Sequence, residues 1–243
     1  MPTEGLGPHP SRISIIVPTL NEEAYIGRFL RSVMAQEPRP LEVIVVDGGS
    51  QDRTVELARR LGAKVIEQPS NMAEAKNIGA QAARGDYLFF IDADSMLPPD
   101  FMEKVSRLGP VDCVRFRAEP LEMCFLGRLG CALNWILCRM WLSNTSGVSI
   151  LIKKELFEAV GGFRTDLIYN EDIDFLRRVA KRAKILYPKD IYLFNSIRQW
   201  AEGNKLKLRE ILRNILRLAE YFLTRESSGR WHWRSLANKP RTS

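Results

Sequence analysis

Short apolar runs alternate with amphipathic segments through the N-terminal half of the chain. Runs rich in Val, Ile, Leu and Phe lie at residues 13–17, 41–46, 63–67 and 87–91. Each run is too short for a helix, and the last has no polar alternation, which is typical of a strand buried on both faces. Apolar residues recur at helical spacing between the runs, over residues 21–33, 52–61 and 72–83. Strand and helix therefore alternate, which predicts an α/β fold with a parallel sheet and right-handed crossovers.

The pattern becomes less regular after about residue 108. It predicts strands at residues 111–118 and 147–152, and helices at 154–160 and 172–179. Two further segments, 124–142 and 205–223, predict amphipathic helices. We therefore expect one α/β domain over residues 1–204, with halves at about 12–108 and 109–204. A basic amphipathic helix and tail would follow over residues 205–243.

Polar residues follow three of the predicted strands: Pro18 to Glu22, Asp47 to Ser50, and Asp92 to Asp94. Ligands of parallel sheets bind beyond the carboxyl ends of the strands, so these segments are expected to meet at one edge. In an extended segment, Asp92 and Asp94 can point to the same side of the chain. Two carboxylates suit a hard divalent cation that takes its other ligands from water and substrate phosphates. A solvated Asp-rich turn is the alternative, and the convergence at one edge favours the metal site.

Composition limits the classes of partner. The chain has 243 residues and 45% hydrophobic content, enough for one domain with a substantial core. A net charge of +7 favours anionic partners such as nucleotide phosphates, nucleic acid or an anionic lipid surface. No nucleic-acid partner is expected, since the basic residues near the C-terminus lie in amphipathic register without interleaved stacking aromatics. The G-x-G-x-x-G and P-loop motifs are both absent, so neither explains the polar edge.

The cysteines and the N-terminus predict the cellular compartment. The cysteines are Cys113, Cys124, Cys131 and Cys138; they form no C-x-x-C pair, and the chain has 2 histidines, so a structural zinc site is not expected. Three of them would be spaced roughly 10 Å apart along one helix face, too far for disulfides. Residues 1–12 contain no apolar signal core. These features together favour a reducing, cytoplasmic location.

The ordered motifs resemble the family 2 glycosyltransferases. The resemblance rests on residues 13–23, residues 43–54 and the D-x-D of Asp92 to Asp94, and it covers roughly residues 13–198. These enzymes are inverting and have the GT-A fold. The resemblance therefore implies a mostly parallel sheet flanked by helices, with a nucleotide-binding half at 12–108 and an acceptor half at 109–204. It implies transfer of a sugar from a nucleoside diphosphate sugar.

The resemblance also implies roles for individual residues. The residues expected to bind the donor are Pro18, Thr19, Glu22, Asp47, Lys76, Asp92, Ala93, Asp94 and Arg198. Among them, Asp92 and Asp94 would hold Mg²⁺ or Mn²⁺ on the diphosphate, and Arg198 would contact the diphosphate directly. Lys76, with Asn77, belongs to a helix-start segment that approaches the donor. Gly48 departs from the many relatives that have a second Asp there.

Glu171 and Asp172 resemble the E-D motif of the family, in which the Asp is the general base. That role is carried over to Asp172, which would take the proton of an acceptor hydroxyl. The alternative is that these acids only complement the positive end of a helix dipole.

The acceptor implied is a glycan or a lipid-linked sugar. Transfer to a polyprenyl phosphate is an alternative suggested by Asn21-Glu22-Glu23 and the basic C-terminal helix. A sugar-nucleotide or lipid-binding protein without activity is a second alternative, and Asp92, Asp94 and Asp172 argue against it. The Q-x-x-R-W motif and a transmembrane span are not found in the sequence, which argues against a polymer-extruding synthase.

The segments 124–142 and 205–223 each leave two readings open. Arg128 and Arg139 make the first a poor transmembrane candidate, so its aliphatic face either packs in the core or contacts a membrane or acceptor lipid. The second has an apolar stripe with basic residues off it: Lys207, Arg209, Arg213 and Arg217. It either lies peripherally on the anionic cytoplasmic face of a membrane or docks on its own domain.

Overall fold

The computed structural model describes residues 12–121, 149–167, 169–198, 201–202 and 205–224. The predicted helix at 124–142, three of the four cysteines and the tail after residue 224 lie outside these residues. Cys113 is described, and its side chain is buried. Within the described residues, no helix is both long enough and apolar enough to span a membrane.

The N-terminal half is the predicted alternation of strands and helices. Its elements are β1 (Ile13–Thr19), α1 (Glu23–Met34), β2 (Glu42–Asp47), α2 (Thr54–Arg60), β3 (Lys64–Glu67), α3 (Met72–Ala82) and β4 (Tyr87–Ile91). The four strands are parallel, in the order β3-β2-β1-β4. Both β1 and β4 are buried throughout, as their unbroken apolar runs predict. The α/β class with a mostly parallel sheet is therefore confirmed.

The C-terminal half extends this sheet and adds a smaller one. Its elements are β5 (Ser95–Met96), α4 (Phe101–Ser106), β6 (Cys113–Arg115), β7 (Arg117–Pro120), β8 (Ser149–Lys153), α5 (Lys154–Ala159), α6 (Glu171–Ala180), β9 (Ile185–Leu186) and β10 (Tyr192–Asn195). Strand β8 pairs antiparallel with β4 and β6, which gives the order β3-β2-β1-β4-β8-β6-β9. The smaller sheet has the order β5-β10-β7.

The prediction of one strand over residues 111–118 was wrong. The segment breaks at Phe116, so that β6 and β7 lie in different sheets. Phe116 turns its ring into the core, where its centroid lies 5.5 Å from that of Phe89 and 4.9 Å from that of Phe101. Its backbone carbonyl accepts a hydrogen bond from the Ser149 hydroxyl at 2.9 Å, and its backbone N–H donates to the Ser149 carbonyl at 3.1 Å.

Both faces of the large sheet are covered, which explains the lack of alternation in β4. Phe89 joins a core with α1 and α4 on one face, and Phe90 joins another with α3, α5 and α6 on the opposite face. Gly79 allows α3 to lie close to the sheet. A Cβ atom there would stand 2.4 Å from Cγ2 of Ile16, so a larger residue would force helix and strand apart.

The last elements that the structure describes are β11 (Ala201–Glu202), β12 (Lys205–Leu206) and α7 (Leu208–Thr224). The helix begins three residues later than predicted, because residues 205–206 pair with residues 201–202 as an antiparallel ladder. One side of α7 forms a small core in which Tyr221 packs with Leu167 and Ile173.

Candidate active site

The three polar segments meet at one edge of the sheet, as expected. Strands β2, β1 and β4 are neighbours, and Thr19 at the end of β1 pairs in register with Asp47 at the end of β2. The backbone N–H of Gly48 donates to the carbonyl of Thr19 at 2.9 Å. The turns that follow these strands therefore start from a common, hydrogen-bonded base.

Asp47 organises the loop that follows β2. Its carboxylate is 1% exposed and accepts hydrogen bonds from the Thr19 hydroxyl at 2.9 Å and from the backbone N–H groups of Gly49 and Ser50 at 3.0 and 2.8 Å. Gly49 has φ of +105°, a conformation that residues with a Cβ rarely adopt. Pro18 and Thr19 are buried behind this loop. These residues shape the edge, and direct contact of Asp47 with a nucleoside remains a prediction.

Glu22 lies at the start of α1 in an acidic setting. The backbone of the preceding Asn21 has a left-handed conformation, with φ of +56°, so the chain turns between β1 and α1. The Glu22 carboxylate accepts a hydrogen bond from Arg198 at 2.6 Å, while its Oε2 is buried and has no hydrogen-bond partner in the part of the chain that the structure describes. Burial raises the pKa of Glu22, the positive charge of Arg198 opposes this, and the negative charges of Asp92 and Asp52 raise it further. This corner therefore carries more negative charge than Arg198 balances.

Asp92 and Asp94 form a tight turn after β4, in which the N–H of Ser95 donates to the carbonyl of Asp92 at 3.2 Å. Asp92 is partly exposed, whereas Ala93 and Asp94 are buried. Asp94 forms an ion pair with Nε of Arg198 at 3.1 Å.

Arg198, 176 positions after Glu22 in the sequence, also lies at this acidic edge. Its guanidinium bridges Glu22 and Asp94, and it lies over the Tyr25 ring with Cζ 4.3 Å from the centroid. Burial lowers the pKa of Arg198, but the charges of Glu22 and Asp94 outweigh burial and raise it. The residue predicted to contact the diphosphate therefore lies at the acidic edge, and its guanidinium is fully charged.

The residues at this edge fit a divalent metal. Within the described ranges, no group of three or more His, Cys, Asp or Glu side chains forms a complete protein cage. Asp92 and Asp94 supply carboxylate oxygens only, which suits Mg²⁺ or Mn²⁺ sharing its coordination with a diphosphate and water. Glu22 has a buried oxygen without a hydrogen-bond partner among the described residues, and the charges of Asp92 and Asp52 act on it, so a cation at this edge would be stabilised.

Lys76 does not reach the surface of this edge. Its side chain is fully buried, and its Nζ donates to Oε1 of Glu171 at 2.7 Å. Asn77, its neighbour, is also used inside the protein, since its amide exchanges hydrogen bonds of 2.8 and 2.9 Å with the backbone of Phe163. The side chain of Lys76 is therefore directed toward the first residue of α6, and that of Asn77 toward the loop before this helix.

Asp172 lies in the first turn of α6 and is buried. Burial raises the pKa of Asp172 to about 7, and the negative charge of Glu171 adds to the rise, while the positive charges of Lys76 and Arg115 oppose it. A carboxyl that titrates near neutral pH is suited to take a proton at the operating pH. The raised pKa of Asp172 is compatible with the base role that the E-D motif predicts, and that role stays a prediction.

Sequence reasoning missed three residues of the site. They are Arg115, whose charge acts on Asp172; Tyr25, which supports Arg198; and Lys207, whose Nζ donates to the carbonyl of Arg198 at 2.9 Å. Arg115 had a weak signal, since an arginine at the end of a predicted strand, between Val114 and Phe116, is unusual when it is only 2% exposed. Tyr25 had none, because its contact with Arg198 joins distant parts of the chain. Lys207 is only nine positions from Arg198, but its place off the apolar stripe of α7 does not indicate this contact.

Comparison with known proteins gives this arrangement a context. The family model described as "Glycosyl transferase family 2" matches residues 14–108. An uncharacterized glycosyltransferase of Haemophilus influenzae is 32% identical over 191 residues, which cover 70% of this chain and 62% of that relative. The chain thus spans about three fifths of the length of this curated relative.

Solved structures share the architecture. A mannosyltransferase of Pyrobaculum calidifontis, in complex with GDP-Man and Mn²⁺, matches with a TM-score of 0.64 and 21% identity, over 92% of this chain and 68% of that one. TarS 1–349 of S. aureus, in complex with UDP-GlcNAc, matches with a TM-score of 0.59 and 22% identity, over 88% of this chain and 67% of that one. At these identities the likeness shows the fold.

Proposed function

The chain belongs to glycosyl transferase family 2 and has the GT-A fold, and from this we propose that it transfers a sugar from a nucleoside diphosphate sugar to an acceptor hydroxyl with inversion. One observation supports the proposal most strongly. The charges of both Asp92 and Asp172 act on Lys76, so the D-x-D turn and the candidate base share one buried cation. A donor held at the turn would then present its sugar toward the base.

The acidic edge binds the donor in this proposal. The loop shaped by Pro18, Thr19 and Asp47 receives the nucleoside with Glu22, and the diphosphate lies against Asp92, Ala93 and Asp94. A divalent metal held there by Asp92 and Asp94 would offset the charge that develops on the leaving diphosphate. Arg198 is placed to exchange its contact with Asp94 for one with the diphosphate.

Asp172 acts as the base. As the acceptor oxygen forms its bond to the anomeric carbon, the bond from that carbon to the diphosphate oxygen breaks, and the acceptor proton passes to the carboxylate of Asp172. The nucleophile enters opposite the leaving group, which inverts the anomeric configuration. For this role, Asp172 has to come within hydrogen-bond reach of the acceptor hydroxyl.

Thermal unfolding with candidate donors tests the proposal. A ligand at 100 times its Kd stabilises the native state by about 2.7 kcal/mol, which is roughly 5–10 °C in Tm for a chain of this size. We expect such a shift with one class of sugar nucleotide, UDP-GlcNAc and GDP-Man being the first probes, and only when Mn²⁺ or Mg²⁺ is present. Release of nucleoside diphosphate from the same donor should follow. No shift and no release with any sugar nucleotide would contradict the proposal.

The acceptor is proposed to be a glycan or a lipid-linked sugar at an anionic membrane surface. The outward face of α7 supports this location, because it exposes 58% of Leu212, 58% of Ile215, 61% of Leu216 and 84% of Leu223. The exposed Arg209 adjoins this face. A bilayer would bury the four apolar side chains and attract the arginine, and no part of the chain that the structure describes buries them.

Charge contributes less to this attachment than the sequence suggested. Lys207 is bonded to the carbonyl of Arg198, and the guanidinium of Arg217 lies 4.0 Å from the Tyr169 ring centroid. Arg213 pairs with Glu210 at 2.8 Å. With about 1 kcal/mol for a basic residue at an anionic surface, Arg209 supplies only a small part, and apolar burial supplies the rest.

Liposome co-sedimentation tests the membrane location. The wild-type chain should pellet with anionic vesicles more than with neutral ones, and less at high salt because screening weakens the attraction. The triple variant Leu212→Gln, Leu216→Gln, Leu223→Gln should lose most of this binding. Leu41→Gln is the control, because Leu41 is 40% exposed and lies far from α7 in the chain. Equal pelleting of the wild type and the triple variant, or pelleting of neither, would exclude a bilayer as the partner of this face. A concentration-dependent dimer that is lost in the triple variant would identify a second copy of the chain as the partner.

A further inference from the structure

Lys76 is a fully buried cation that connects separate parts of the site. Its Nζ bonds to Glu171 at 2.7 Å and lies 4.9 Å from the centroid of the Phe163 ring. Burial disfavours the ammonium, but the negative charges of Glu171, Asp172 and Asp92 outweigh burial and raise the pKa of Lys76. The lysine is therefore charged, and its interactions are with carboxylates from the end of β4 and the start of α6.

The helix that carries Lys76 is held rigidly. Asn71 and Glu74 close a capping box at the start of α3, with hydrogen bonds of 2.7 and 2.9 Å. One turn later, Asn77 binds the backbone of Phe163, and Gly79 seats the helix directly on Ile16. The ammonium thus projects from a fixed platform and can impose a position on its partner.

The start of α6 lacks a comparable device of its own. Asn170 occupies the N-cap position but makes no side-chain capping bond, and its backbone is left-handed with φ of +61°. Its amide instead donates to the carbonyl of Arg217 at 3.3 Å. Asp174 pairs with Arg178 inside the same helix and accepts a hydrogen bond from the Tyr221 hydroxyl of α7 at 3.2 Å, whereas Glu171 pairs with a residue of the fixed α3. The Glu171 ion pair is therefore the contact that ties the first turn of α6 to this platform.

We propose that Lys76 is a positioning residue: by fixing Glu171, it fixes the first turn of α6 and so aims Asp172 at the acceptor. This rests on the proposed function only in treating Asp172 as the base. It also changes the interpretation of Lys76 itself, from a donor contact to a group that acts through α6. In addition, the ammonium balances the two adjacent carboxylates of Glu171 and Asp172, which would otherwise repel each other in a buried position.

Kinetics separates positioning from donor binding. In Lys76→Met we expect kcat to fall at least 10-fold, while the KM for the donor changes less than 3-fold. Glu171→Gln keeps an acceptor for the lysine proton and should retain at least one third of kcat.

The Lys76→Met substitution leaves Glu171 buried without its cation, so this variant can lose stability. The double variant Lys76→Met, Glu171→Gln removes both charges and should recover Tm but not kcat. Lys104→Met is the control, since its ion pair with Asp100 is exposed.

A second measurement does not depend on turnover. In a double-mutant cycle on thermal unfolding at pH 8, Lys76→Met should lower Tm by at least 3 °C more in the wild-type background than in Asp172→Asn. Additive effects in this cycle would overturn the coupling even if no donor is ever found. If the double variant recovers both Tm and kcat, or if Lys76→Met raises donor KM without changing kcat, Lys76 is structural or a donor contact instead. A coupled cycle with no turnover of any sugar nucleotide by wild type would leave the contact supported and the proposed function refuted.

Discussion

Changing Asp92 or Asp94 to asparagine is expected to reduce turnover by roughly 10³-fold or more while the protein stays folded. A metal supplies several kcal/mol of charge stabilisation to a leaving diphosphate, and about 1.4 kcal/mol corresponds to a tenfold change in rate. Asparagine keeps the shape of the turn but removes the negative charge that holds a hard cation. Donor affinity measured by calorimetry should become independent of Mn²⁺ in both variants.

The two substitutions should differ in one respect. Asp94 is buried and pairs with Arg198, whereas Asp92 is partly exposed, so Asp94→Asn should change metal-free stability more than Asp92→Asn. Asp100→Asn serves as the control, because Asp100 lies on the surface and pairs with Lys104. Unchanged turnover of the wild type in EDTA would contradict the metal assignment. Loss of folding in both variants would show that the turn is structural.

The fold of the N-terminal half could be predicted because its signals are local. The apolar run of β4 is buried on both faces, as a run without alternation requires, and the polar segments follow strands that end at one edge. Chain order and strand parallelism are enough to bring Thr19, Asp47 and Asp92 together. No tertiary information is needed for that step.

The rest of the site depends on contacts between distant residues. Lys76 lies in the sequence beside other helical residues and gives no sign that it is buried against Glu171, which is 95 positions away. Arg198 meets Glu22 across 176 positions. Likewise, the periodicity of α7 predicted an apolar stripe, but only the packing of Tyr221 shows which side of that helix faces inward. The sequence pattern predicts that the helix has an apolar face, but only the tertiary structure shows what that face packs against.

Because the pKa of Asp172 is raised to about 7, we expect turnover to increase with pH. In the proposed mechanism Asp172 takes the proton as a carboxylate, so kcat should rise with pH through about 7 and level off above it. Burial and the negative charge of Glu171 raise this midpoint, whereas the positive charges of Lys76 and Arg115 lower it.

The free energy of unfolding should change with pH in the opposite sense to kcat, because Asp172 in the folded protein holds a proton that the unfolded chain releases near pH 4. The stabilisation is complete below that pH and is lost as pH rises through about 7.

Asp172→Asn should therefore lower kcat by about 10²-fold or more, the usual scale for losing a positioned base, with donor affinity unchanged. The variant should also lose the fall in Tm between pH 5 and 8, which checks the burial of this carboxyl without any assay of turnover. Asp166→Asn, at an exposed carboxylate paired with Arg164, is the control. A kcat reduced less than 10-fold would indicate an acceptor that is already ionised, such as a polyprenyl phosphate, because a phosphate oxygen needs no base. Equal loss of donor binding and turnover would instead assign Asp172 to the framework of α6.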